Sequence, residues 1–179
     1  MMRALSLWQP WASAMARTMC PVKGFETRHW VPREPLPICD VVIHAATRWS
    51  GDQLAVCGLH PFRLFMPIAP TIFTRVKDGP EALGLPAGVA LCVVDFVKVW
   101  RTAEVVGIAK YSQDGNAEAW AEELAMGNYS PGRFAWEANN LRVLSRPVPL
   151  RGRQGLWVLS PEEESRVRSA LEVADAARR

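Results

Sequence analysis

Apolar positions along the chain come in short runs broken by proline and glycine, a pattern that fits short strands better than long helices. Residues 2–7 read as an opening strand. Pro10 stands where a helix begins, so a helix is predicted over Trp11–Met19, ended by Pro21. Phe25–Trp30 reads as extended. Alternation there puts Glu26, Arg28 and Trp30 on one face and Phe25, Thr27 and His29 on the other. Asp40–Ala46 reads as a buried strand, and the valine-rich Gly88–Trp100 is the clearest strand of all. Residues 47–86 between them are irregular, with a short helix near Gly51–Cys57, and suit a packed, lid-like insertion. Ala117–Met126 reads as a helix. Phe134–Leu144 and Val148–Leu159 read as two strands separated by Arg146-Pro147. Ser160 caps a final helix over about 160–177, with Pro161 at its first position and Glu163 closing a Ser-x-x-Glu capping box.

Several short strands with a few inserted helices predict an α+β fold, a small mixed β-barrel with flanking helices. No internal repeat or linker is visible. One domain over 1–179 is expected, with its core at about 3–158. The absence of GxGxxG and of a P-loop argues against dinucleotide and ATPase chemistry. With 49% apolar and 22% charged residues, a packed core is expected. A net charge of +3 is too mild to announce a nucleic-acid partner by itself, although Arg142, Arg146, Arg151 and Arg153 gather late in the chain. The 8 tryptophans are costly to expose and should line core or pocket.

Cys20, Cys39, Cys57 and Cys92 are spread without a Cys-x-x-Cys pair and read as reduced thiols. Cys57 and His60 have ligand-like spacing but lack two further partners, so no metal and no cofactor is expected. Arg3, an apolar run and Ala12-Ser13-Ala14 imitate a signal peptide, but Gln9-Pro10 and two tryptophans interrupt the run. Ala87–Trp100 is too short to span a bilayer and is broken by Asp95 and Lys98. The expected compartment is the cytoplasm, with no membrane partner.

Five segments, in order, resemble one family. They are Leu5-Ser6-Leu7-Trp8-Gln9-Pro10-Trp11-Ala12, Lys23-x-x-Glu26-x-Arg28-x-Trp30, Ile43-His44-Ala45-Ala46, Ser130-Pro131-Gly132-Arg133-Phe134-Ala135-Trp136 and Gly152-Arg153-Gln154-Gly155-Leu156-Trp157. The set is similar to the ASCH domain (activating signal cointegrator homology) in its bacterial and phage forms, and it spans residues 3 to about 158. The resemblance implies a PUA-like barrel with a cleft for RNA, nucleotides or modified nucleosides. It implies that Lys23, Glu26 and Arg28, with Gln9 and Trp11, belong to that cleft. Some small members resemble amidohydrolases that cleave an acylated cytidine through a Lys-x-x-Thr-x-Arg motif. Here Glu26 stands at the threonine position, so the nucleophile of that chemistry is missing; Pro21 stands where a glycine is common, which alters the turn that aims Lys23.

The residue types make sense for a base. Trp11 or Trp30 can stack its face, and Gln9 offers both donor and acceptor to its edge. Lys23 and Arg28 can hold a phosphate or carbonyl, and Glu26 can accept from an exocyclic amine. The plainer alternative is a Glu26–Arg28 or Glu26–Lys23 ion pair with the tryptophans in the core. His44 is either a core histidine or a cleft donor, while His29 flanks the motif facing away from Glu26 and His60 is structural. Arg133 and Arg153 follow Gly132 and Gly152 at strand entrances, and with Arg151 they can rim a site for phosphates; otherwise they are solvated turn residues. The expected activity is recognition of a base or modified nucleoside in RNA or single-stranded DNA. The alternative is a small hydrolase acting on a modified nucleoside or on RNA, with Lys23 and Glu26 as its catalytic residues.

Overall fold

Valine and isoleucine runs without polar interruption are buried on both faces of a sheet, and two such runs form its centre here. A computed structural model describes residues 1–17, 23–68, 75–111 and 117–176. The fold is mixed α+β. A six-stranded sheet curls into a half-barrel, and five α-helices are found among the described residues. The strands are β1 (Arg3–Leu7), β2 (Phe25–Arg28), β3 (Ile38–Ala45), β4 (Val89–Arg101), β5 (Phe134–Pro149) and β6 (Leu156–Val158). They lie in the order β2-β5-β4-β3-β1-β6. Among the described residues only β1 and β3 run parallel, and the other pairings are antiparallel. Val41–Ala45 of β3 and Ala90–Val94 of β4 are buried throughout because apolar layers cover both faces.

On one face Ala4, Val42, Val93 and Trp157 pack under α5 (Pro161–Ala176), which contributes Val167 and Leu171. On the other, Leu5, Ile43, Phe96 and Trp136 pack with α1 (Trp11–Met15) through Ala12 and Met15. The remaining helices are α2 (Gly51–Cys57), α3 (Thr102–Tyr111) and α4 (Ala117–Ala125). Short 3-10 turns at Phe62–Phe65, Val76–Asp78 and Pro80–Leu83 fill the long insertion. Its Leu83 and Leu85 are buried against Cys57, so the segment is packed as expected.

Two readings of the sequence need correction. Phe134–Pro149 is one strand, where Arg146-Pro147 had suggested a break. Between the pairs Ala90↔Val148 and Cys92↔Val143, β4 advances from 90 to 92 while β5 advances from 143 to 148. The extra residues form an irregularity that holds Pro147, whose missing N–H therefore costs no ladder bond. Second, α3 had no counterpart in the reading. β-branched residues and Gly107 conceal it, and Glu104 Oε2 secures its start by accepting from the Arg101 N–H at 2.6 Å. The helix predicted over 11–19 ends at Met15, with Ala16 as its C-cap; residues 18 and 19, Cys20 and Pro21 lie outside the described residues. Among the described residues no helix is long and apolar enough to cross a membrane.

Candidate functional site

A cavity of about 440 Å³ opens between the end of β1, the strand β2, the segment after α2 and the turn after α4. It has an apolar wall of Trp11, Val56, Leu59 and Phe62, with Phe62 edge-on to Trp11 at 5.7 Å between ring centroids. Its polar wall holds Lys23, Glu26, Arg28, Asn128 and Arg133. An apolar slot with a few convergent polar groups is the usual build of a small-ligand site.

The polar wall is assembled locally. Period-2 alternation in β2 puts Glu26 and Arg28 side by side, and Glu26 Oε1 lies 2.9 Å from Arg28 Nε. The guanidinium N–H is not aimed at that oxygen, so the contact is an ion pair without a hydrogen bond. Arg28 also donates through Nη2 to the Ser6 carbonyl at 2.9 Å, which ties β2 to β1. Lys23 is nearly inaccessible, at 2% exposure. Its ammonium donates to the Phe25 carbonyl and, at 3.1 Å, to the Met126 carbonyl, and it stands 3.8 Å from Glu26 Oε2. Met126 follows α4, so Lys23 places a cation at a helix C-terminus, where unpaired carbonyls welcome it.

Buried Glu123 locks this corner. It accepts from the Gly24 N–H at 2.5 Å and from the Tyr129 hydroxyl at 2.6 Å. Burial, and then the Glu123 charge beside it, push the Tyr129 hydroxyl far above its ordinary pKa, so it stays a proton donor. Gly127 is needed at the turn: a Cβ there would meet Tyr129 at 2.5 Å and Thr27 at 3.1 Å. Arg133 braces the same turn, donating to the Asn128 carbonyl at 3.1 Å and the Thr27 carbonyl at 3.2 Å.

The cavity therefore brings together Trp11, Lys23, Glu26, Arg28 and Arg133. Four other residues singled out in the sequence lie elsewhere. Gln9 is fully buried and its amide is spent inside the fold, donating to the Pro86 carbonyl at 2.7 Å and accepting from the Ser13 N–H at 3.1 Å. Trp30 falls beyond the end of β2, so strand alternation no longer aims it with Glu26. It packs edge-on against Trp136 at 4.7 Å, and its carbonyl accepts from the Trp136 indole N–H. His44 is buried and donates through Nε2 to the Leu150 carbonyl at 3.2 Å. Burial lowers its pKa below 6.5, with the Leu150 bond acting in the opposite direction. Its Nδ1 lies 3.0 Å from Ser6 Oγ. His44 and Arg153 line a neighbouring groove.

The same strand end reverses a further expectation. A bend after Arg28 carries His29 into the cavity lining. His60 also lines it, with Nε2 3.6 Å from Glu122 Oε1. Trp8, Phe62 and Asn128 were missed as lining residues. Trp8 is 45% exposed where it lines the cavity. Asn128 had no signal in the sequence, because only the docking of α4 onto Gly24 brings it near β2.

No protein-family model matches the sequence, and no curated protein matches it either.

Proposed function

We propose that the chain is an ASCH-type module with a PUA-like barrel, and that its cavity recognises a base or modified nucleoside carried in RNA or single-stranded DNA. The observation that carries this reading is the convergence of Trp11, Lys23, Glu26, Arg28 and Arg133 on one open hollow. Its volume of about 440 Å³ suits a nucleoside-sized ligand. Trp11 supplies a ring face, Glu26 an acceptor for an exocyclic amine, and Asn128 and Arg28 donors for carbonyls.

Recognition suits the geometry better than hydrolysis. Two of the three Lys23 N–H groups are committed to carbonyls, and Glu26 is flanked by two cations, so both groups are tied into the wall of the cavity.

Tryptophan fluorescence titration with nucleosides, short RNA and single-stranded DNA tests the reading. Quenching by at least one ligand is expected, weakened about fivefold to 150-fold in Trp11→Ala, since a stacked base contributes roughly 1–3 kcal/mol. Absence of quenching by the whole panel at low salt refutes it. Turnover of a modified nucleoside, lost in Lys23→Ala and Glu26→Gln variants that remain folded, would replace recognition with the hydrolase alternative.

A further inference from the structure

A second hollow, of about 610 Å³, adjoins the cavity. Ser6, Trp8 and Arg28 line both, so the two meet along a shared wall. Among the described residues, four arginines line the second hollow, namely Arg28, Arg48, Arg151 and Arg153, and no acidic residue does. Arg28 is balanced by Glu26. Among the described residues the other three are exposed and make no ion pair. For a chain of net charge +3, three unbalanced guanidinium groups in one groove are a concentrated positive field.

The groove also carries an aromatic platform. Arg48 lies over the Trp8 ring, 4.6 Å from its centroid, while Trp8 stays 45% exposed. This cation–π pair holds the Arg48 guanidinium in place over the indole.

The backbone that presents Arg151 and Arg153 is pinned from beneath. The Leu150 carbonyl can only accept, so His44 Nε2 carries the proton there. In the neutral ring Nδ1 is then an acceptor. The Ser6 hydroxyl proton is shared between Nδ1 and the Arg153 carbonyl, at 3.0 and 3.2 Å. Gly152 lies so close over the imidazole that a Cβ would stand 2.5 Å from His44 Cε1. Ser6 and His44 are thus positioning residues, and they hold the one segment that bears Arg151 and Arg153 at a set height above β1 and β3.

We infer that this groove is a phosphodiester track. The ligand is a single strand of at least two nucleotides: one base enters the cavity, the adjoining phosphates lie along Arg48, Arg151 and Arg153, and a neighbouring base rests against Trp8. The inference rests on the base-cavity reading and goes further, because a cavity alone would serve a free nucleoside. Phosphates contribute salt-dependent affinity without sequence choice, whereas the cavity chooses the base.

The test compares the four nucleosides, their monophosphates, dinucleotides and six-residue RNA and single-stranded DNA oligomers on the full chain, across a salt series. Oligomers are expected to bind at least a hundredfold tighter than nucleosides at low salt. Arg48→Ala, Arg151→Ala and Arg153→Ala should each reduce the slope of log K against log salt by about 0.7, the value for one lost single-strand phosphate contact. They should leave nucleoside binding unchanged, and Arg166→Ala on α5 should leave both unchanged. RNA against DNA is decided by the two oligomer arms. Nucleoside binding with oligomers no tighter, or with slopes unmoved in the variants, overturns the track and leaves the cavity reading intact. Oligomer binding that needs the arginines but not Trp11, with no nucleoside binding, supports the track and removes the cavity reading. Equal binding of polyglutamate, tighter binding of duplex than of single strand, or no binding at all overturns the track.

Discussion

The Lys23 side chain ends where water scarcely reaches, and two carbonyls and the Glu26 carboxylate replace the hydration it loses there. His44 meets the loss of water by staying neutral. Its folded pKa lies below 6.5, so the unfolded chain takes up a proton that the folded chain refuses as pH falls. The associated stability is complete above pH 6.5 and is lost as pH drops towards the lowered folded value. One proton sets an upper limit of about 1.4 kcal/mol per pH unit on that slope. Urea unfolding of the wild type and His44→Gln between pH 7 and 5 should show a shallower decline in the variant. Parallel curves would mean that His44 takes no part. The thiols follow the same rule: burial pushes Cys57 up to about 11 and Cys92 higher still, which keeps both inert.

Elements here start and stop for reasons that range from fully local to wholly tertiary. The capping box of α5 is local and is realised in full. The Ser160 N–H donates to Glu163 Oε2 at 2.8 Å, and the Glu163 N–H donates to Ser160 Oγ at 3.2 Å. Ser160→Ala should therefore cost about 1 kcal/mol in thermal or chemical unfolding, while Ser160→Asp should restore most of it. Equal stability of wild type and Ser160→Ala would show that tertiary packing alone holds the helix start. The end of β2 is less local. Alternation placed Glu26 and Arg28 correctly on one face, but the strand stops at Arg28 and the rule stops with it. Trp30 joins the core and His29 turns to the cavity for that one reason.

Across the whole molecule, the half-barrel depends on α5 to close one of its two apolar layers. Val167 and Leu171 are buried over Trp157 and Leu159. The Met2 N–H donates to Glu164 Oε2 at 2.8 Å, which joins the first strand to this helix. That hydrogen bond, with Arg168 second, holds the Glu164 carboxyl below its ordinary range. Removing residues 161–176 should cost about 3–6 kcal/mol from these two side chains alone. That loss is large beside the usual stability of a domain this size. A cooperative thermal transition is expected for the full chain and a broad or absent one for the truncated chain. An unchanged transition would show that the helix is an appendage.

The sequence by itself determined the features that short-range physics controls. These are the central strands, the Glu26–Arg28 pairing, the final helix with its cap and the short helix at 51–57. Hydrophobic period, proline placement and cap chemistry act within a few residues, so each can be read in one dimension. Only the tertiary structure decided which side chains share a hollow. Gln9 is drawn into the interior because the Pro86 carbonyl and the Ser13 N–H need a partner, whereas Trp8, one residue earlier, remains at the surface. Arg48 and Arg153 lie 105 positions apart and meet because β1 and β3 pair in parallel beneath them. Contacts between such distant positions depend on sheet order and on where each strand ends, and no local pattern encodes either.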